Sequence, residues 1–204
     1  MKIAGVILAG GQGLRMQRAN KALLMLDGRP LFLHVAAKLR DQVETLGINA
    51  NRDLEIFSNR AFHLPIVADG IGGNLGPLDG ILGAMIFAKN NSCTHVLTVS
   101  VDTPFIPADL VEKLMDKTGS QIAVASSHER IHATCGLWPI SHAAGLKAFM
   151  LSGKKLKVLD FLNETAFVTV AFSGGEPDPF FNINTPDDLE TAARWLRRQQ
   201  TSGN

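Results

Sequence analysis

Ile3-Ala4-Gly5-Val6-Ile7-Leu8-Ala9 runs without a polar side chain and then breaks into Gly10-Gly11-Gln12-Gly13-Leu14-Arg15-Met16, with Asn20-Lys21 close behind. An unbroken apolar run of this length reads as a strand buried on both faces, as in a parallel sheet. Glycines at its end let backbone N–H groups approach an anion with no Cβ in the way. Arg15 and Lys21 bring a planar fork and a point charge to the same spot. The combination suits a polyphosphate; the alternative is an ordinary strand-to-helix turn with solvated basic residues.

Two familiar glycine motifs are absent. Gly11-x-Gly13 is followed three residues later by Met16, where the dinucleotide fingerprint needs a third glycine for close helix packing. Gly153-Lys154 is followed by Lys155 rather than Ser or Thr, and Ala148 stands where the P-loop has its first glycine.

Outward from the first strand, segments alternate. Asp27-Gly28 reads as a turn and Pro30 as the first position of a helix. Leu31, Val35, Leu39, Val43 and Leu46 recur at helical spacing, which predicts one helix reaching Leu46, then a short strand over 48–51. A brief helix over 53–58, a strand over 65–68 and a glycine-rich loop lead to helical periodicity from Leu78 to Ala88. The β-branched run 95–101 ends at Asp102-Thr103-Pro104, where proline forces an exit. A helix from Leu110, two strands within 121–138 and helices near 143–151 and 158–162 follow. A strand over 167–172 precedes a last helix opened by Thr185-Pro186-Asp187-Asp188.

Such alternation predicts an α/β fold, a single-domain, Rossmann-like, three-layer α/β/α sandwich on a mostly parallel, mixed sheet. With 204 residues and a hydrophobic fraction of 46%, one domain over 1–204 is expected. A nucleotide-binding half would span about 1–104 and an acceptor-binding half about 105–204.

Twenty basic and 19 acidic residues give a formal charge of +1, so no bulk pull toward nucleic acid or an anionic membrane is expected. Arg194, Arg197 and Arg198 read as a solvated helix face beside Glu190. Cys93 and Cys135, with no C-x-x-C, argue against a zinc site or disulfide framework. Without a signal-peptide pattern or an apolar run long enough to span a bilayer, the expected location is cytoplasmic.

In open α/β sheets ligands bind beyond the carboxyl ends of the strands. The polar residues placed there are Gly10 to Gly13, Asn49, Asp69 and Asp102. Asn49 alone would equally cap a helix, and Asp69 before glycine reads first as a turn former. Asp102 is more telling, because a carboxylate ending a buried strand must be solvated, paired or metal-bound. As a hard oxygen ligand beside a triphosphate it suits Mg²⁺. The histidines show no metal-ligand or nucleophile pattern, and only His132 is kept as a substrate contact.

Taken together these residues resemble the molybdenum cofactor guanylyltransferases, within the wider nucleotidyltransferases. The likeness runs nearly end to end. It is carried by Leu8-Ala9-Gly10-Gly11 with Arg15-Met16 and Lys21, Asp27-Gly28-Arg29-Pro30-Leu31, and Asn49-Ala50-Asn51-Arg52. Gly76-Pro77-Leu78, Asp102-Thr103-Pro104 and Asn182-Ile183-Asn184-Thr185-Pro186 complete it.

The resemblance implies transfer of GMP from GTP to the terminal phosphate of molybdenum-molybdopterin, with Mg²⁺ as cofactor. By the same resemblance, Leu8, Ala9, Gly10, Gly11 and Gly13 hold the nucleotide, and Lys21 its phosphates. Asn49 and Asp69 contact base or ribose, and Asp102 binds nucleotide and metal. Arg15, Lys21 and Asp102 form the catalytic set. Gly76, Pro77, Leu78, Asn182 and Asn184 bind substrate. Partners would be molybdenum-inserting enzymes upstream and molybdoenzyme apoproteins or their chaperones downstream.

Gln17 and Arg18 depart from the pattern's glycines, Asn20 replaces an acid, and Asp79 replaces alanine in the Pro77-Leu78-Asp79-Gly80 element. Asp79 bears on base selection or turnover. The competing expectations are a cytidylyltransferase or other small-molecule nucleotidyltransferase, and a non-catalytic GTP-binding module. The opening Leu-Ala-Gly-Gly favours GTP.

Overall fold

The computed structural model describes residues 1–10, 20–57, 64–73, 75–153, 156–173 and 175–202, with side chains through 198. In chain order the elements are β1 (Ile3–Leu8), β2 (Met25–Leu26), β3 (Arg29–Pro30), α1 (Leu31–Leu39), β4 (Thr45–Asn49), α2 (Leu54–Phe57), β5 (Ile66–Val67) and α3 (Pro77–Asn90). Then come β6 (His95–Ser100), α4 (Leu110–Thr118), β7 (Ile122–Ser127), β8 (Arg130–Pro139), α5 (Ala143–Leu151), α6 (Val158–Glu164), β9 (Phe167–Ala171) and α7 (Pro186–Ser202).

Seven strands form one sheet in the order β5-β4-β1-β6-β8-β7-β9. All neighbours are parallel except β8, which runs antiparallel to both β6 and β7. Side chains of β1 divide strictly. Ile3 and Ile7 join the core under α1 and α4, whereas Ala4, Val6 and Leu8 join the core under α3, α5 and α6. Helices therefore cover both faces, as expected of an apolar strand with period-two burial. A smaller cluster of Leu26, Leu31, Ile183 and Ala192 seats α7 against the β2–β3 hairpin. That hairpin turns at Asp27 and Gly28, both with positive φ, as a two-residue connection requires.

The expected helix from Pro30 to Leu46 is corrected. α1 ends at Leu39, a 3-10 turn follows over Arg40–Gln42, and Val43 is extended at φ −135° and ψ 152°. Thr45 to Asn49 pair in register with Ala4 to Leu8. The helical spacing of Val43 and Leu46 was coincidental, because both side chains pack over Gly5, within 3.0–3.2 Å of where its Cβ would stand. Pairing with the central strand outweighed local periodicity. Among the described residues no helix is long and apolar enough to cross a membrane.

Candidate functional site

After β1 the sheet opens. Ala9 N donates to Asn49 O on one side at 2.8 Å, and Leu8 O accepts from Val101 N on the other at 3.0 Å. The strand order reverses here, since β4 and β5 lie to one side of β1 and β6 to the other. A crevice at such a switch point is where open α/β sheets bind ligands. A cavity of about 370 Å³ lies there, bounded by Leu8, Ala9 and Gly10, by Asn49, Asn51 and Asp69, and by Gly76 and Pro77. A second groove of about 440 Å³, between His34 and Lys38 on α1 and Pro177 and Pro179, contains none of the predicted site residues.

One side of the first cavity carries Asn49, Asn51 and Asp69, with Arg52 beside them. Asn49 is only 2% exposed, and its Nδ2 donates to Val67 O at 3.0 Å and to Asp69 Oδ1 at 2.8 Å. Asn51 Nδ2 donates to Asp69 Oδ2 at 2.9 Å. The carboxylate accepts only, so both amides must turn nitrogen toward it and keep oxygen for something else. Asn49 Oδ1 reaches within 3.2 Å of a Cβ built on Gly10 and 2.6 Å of one built on Gly80, so side chains at those positions would crowd it.

A charged group adjoins the cavity next to Asn20 and Ser100, which line it. Lys21 follows Asn20, whose Oδ1 accepts from Ala22 N at 3.1 Å and whose Nδ2 donates to Asp53 Oδ2 at 2.8 Å, so a short 3-10 turn is capped and aimed. Lys21 Nζ donates to Asp102 Oδ2 at 2.9 Å and to Asn184 Oδ1 at 2.6 Å. Asp102 Oδ1 accepts from Ser100 Oγ at 2.6 Å. Ile183 N donates to Asp102 O at 2.9 Å, tying the 181–184 segment to the end of β6.

Asn184 N and Thr185 N donate to Asp188 Oδ2, while Asp188 N donates to Thr185 Oγ1, a reciprocal cap that starts α7. Burial works to raise the Asp188 carboxyl, but these bonds and the Lys21 charge outweigh it and hold it below its ordinary value. Asn182 is half-buried in the same segment.

Asp102 has one oxygen on a cation and one on a hydroxyl, each with a lone pair to spare. A single carboxylate with that capacity fits Mg²⁺, which takes one or two protein carboxylates and completes its shell from phosphate oxygens and water. No cluster of three or more His, Cys, Asp and Glu suited to a metal occurs among the described residues.

Of the predicted residues, the fold thus gathers Leu8, Ala9, Gly10, Asn49, Asp69, Gly76 and Pro77 about one cavity. Lys21, Asp102 and Asn184 are joined directly. Leu78 is completely buried in the core beneath α3. Gly11, Gly13 and Arg15, with Gln17 and Arg18, lie outside the described residues.

Ser100 was not anticipated. A hydroxyl two positions before Asp102, at the end of β6, was the available signal. His132 is engaged elsewhere: its Nε2 meets Ser127 Oγ at 2.8 Å and its ring stacks on Phe180 at 4.7 Å. Burial pushes His132 down, with Asp178 opposing and Arg130 adding to the effect. Ser127 Oγ also lies 3.0 Å from both oxygens of Asp178. The same hydroxyl therefore meets both His and Asp, and among the described residues no carboxylate meets His132 Nδ1, the contact that holds the base in a serine nucleophile's triad. Burial pushes the Cys135 thiol up to about 11, leaving no thiolate for covalent chemistry.

Residues 5–166 match the family described as the MobA-like NTP transferase domain. A molybdenum cofactor guanylyltransferase of Rhizobium leguminosarum bv. trifolii is 45% identical over 96% of this chain and 93% of its own length. One from Mesorhizobium japonicum is 42% identical over 96% of each chain. Among solved structures, molybdopterin-guanine dinucleotide biosynthesis protein A from Archaeoglobus fulgidus superposes with a TM-score of 0.72 and 25% identity, covering 97% of this chain and all of that one.

Proposed function

From the chain's membership of the MobA-like NTP transferases, as one of the molybdenum cofactor guanylyltransferases, we infer that it transfers GMP from GTP to the terminal phosphate of molybdenum-molybdopterin and releases pyrophosphate. The observation that carries the assignment of residues is the Lys21–Asp102–Asn184 contact beside the Gly10, Asn49 and Asp69 cavity.

The base end follows from hydrogen-bond chemistry. The oxygens of Asn49 and Asn51 and the lone pairs of Asp69 offer acceptors to a donor edge, while Arg52 and the second N–H of Asn51 on the same lining donate. Guanine offers N1–H and an exocyclic amine on one edge; adenine and cytosine place an acceptor beside their amine. At the phosphate end Lys21 exchanges its carboxylate partner for phosphate oxygens, and the glycine-end amides of β1 add fixed donors. Mg²⁺, held by Asp102 and the phosphates, would neutralise charge on the triphosphate and on departing pyrophosphate.

The acceptor phosphate is already largely dianionic near neutrality, since its second pKa is about 6, so no general base is needed. Asn182 and Asn184 would meet the metal or the pterin. Handover of product to molybdoenzyme apoproteins or their chaperones would follow release.

The test is incubation with Mg²⁺, labelled GTP and molybdenum-loaded pterin. A guanine dinucleotide product with equimolar pyrophosphate is expected, with CTP and ATP turned over poorly. Product formed equally well from CTP would overturn the base assignment. GTP binding without pyrophosphate release would leave only a binding module.

A further inference from the structure

Among the described residues, Asp79 is the one carboxylate with no exposure at all. A charge so placed must be met by strong donors, and here they come from a single stretch of loop. Ile71 N donates to Asp79 Oδ1 at 2.7 Å, and Gly72 N to Oδ2 at 2.9 Å. Gly70 N donates to the Asp79 carbonyl at 3.1 Å. One residue therefore takes three successive amides, and the residue immediately before them is Asp69, whose carboxylate lines the cavity.

Asp79 lies in the first turn of α3, where free N–H groups favour an anion. Gly70 adds a second restraint: a Cβ there would stand 2.4 Å from Leu82 Cγ, so the loop backbone is pressed against the same helix. With an apolar side chain at 79, the amides of 71 and 72 would lose their acceptors and turn toward water.

We propose that Asp79 is a positioning residue that latches the 70–72 backbone to α3 and thereby sets the Asp69 carboxylate for reading the donor edge of guanine. The inference rests on the guanylyl-transfer reading above. Asp79 touches no substrate; it acts through Asp69, and its loss falls on selectivity and KM rather than on the chemical step.

The experiment compares wild type with Asp79→Asn and Asp79→Ala, using GTP and ITP, which lacks the 2-amino group. Wild type is expected to prefer GTP. In the variants KM for GTP rises about tenfold, as expected for losing a hydrogen bond to a charged group. KM for ITP changes less, so the GTP-to-ITP preference falls toward one. Hydrogen exchange supplies an arm independent of nucleotide. In wild type the Ile71 and Gly72 amides should exchange at least about a hundredfold slower than in an unstructured peptide, and the protection should vanish in Asp79→Ala, whereas Asp79→Asn, which keeps one acceptor oxygen, should lose it at one amide.

Folded variants that keep the wild-type preference overturn the proposal while leaving GTP as substrate. A variant that loses kcat with KM unchanged also overturns it. Fast exchange at Ile71 and Gly72 in wild type overturns the latch whether or not any variant folds. Slow exchange in a wild type indifferent to GTP over ITP overturns the selectivity role and places the failure in the guanine assignment.

Discussion

At the scale of single residues the site is governed by one ion pair and what surrounds it. The side chains of Lys21 and Asp102 retain 21% and 13% of their exposure, enough for an incoming phosphate to compete for the lysine. Each member is restrained by a neutral partner, Asn184 for the lysine and Ser100 for the aspartate, so geometry persists when the pair exchanges partners. Removing one well-placed electrostatic donor typically costs about 10²- to 10³-fold in rate. Lys21→Ala is expected to lose at least that much in kcat, and Asp102→Ala more, because metal and cation partner go together. Steady-state pyrophosphate release measures both, and near-normal turnover in either variant would refute the assignment. Ser100→Ala should cost less, since it orients a group that keeps its charge.

At the scale of elements the decisive contact is α3 against the exits of β4 and β5. Its glycines allow the helix backbone to come unusually close. A Cβ on Gly83 would stand 2.1 Å from the Ala68 carbonyl oxygen, which belongs to backbone and has little room to yield. Overpacking of this kind costs about 1–3 kcal/mol. Gly83→Ala should therefore lower Tm by roughly 3–10 °C in a chain of this length. Gly145 on α5 has nothing within 4 Å of its Cβ position and no positive φ, so Gly145→Ala should leave Tm unchanged or raise it slightly. Thermal melts of the pair separate close approach from helix propensity; equal behaviour would sink the packing argument. The cap on α7 works on the same scale, since the Thr185–Asp188 exchange that begins the helix also positions Asn184 beside Lys21.

For the whole molecule, pH exposes what the core excludes. Burial pushes His95 down, aided by the N-terminal charge, and its Nε2 has no hydrogen-bond partner among the described residues. His132 is pushed down by burial despite Asp178. Both bind protons less readily folded than unfolded. As pH falls through the ordinary histidine range the unfolded chain takes up more protons, and stability declines. Tm should thus be level above about pH 7.5 and fall progressively below about 6.5, the ordinary histidine value. His95→Gln should flatten the fall, which melts across pH would record. A Tm independent of pH in this window would contradict the burial of both rings.

Local chemistry alone determined a good deal of this protein. The apolar run into Gly10, the proline after Asp102 and the Thr185-Pro186-Asp187-Asp188 start each declared an element, because burial, lost donors and capping are properties of a few adjacent residues. The alternation of strands and helices declared the layers for the same reason. Tertiary structure alone decided that Val43 and Leu46 serve a strand edge rather than a helix. It also decided that Lys21 meets Asp102 and Asn184 across 81 and 163 positions, and that Asp79 grips a loop rather than a ligand. Those outcomes depend on which strands lie side by side, and pairing across the sheet is a long-range choice that no short window of side chains encodes.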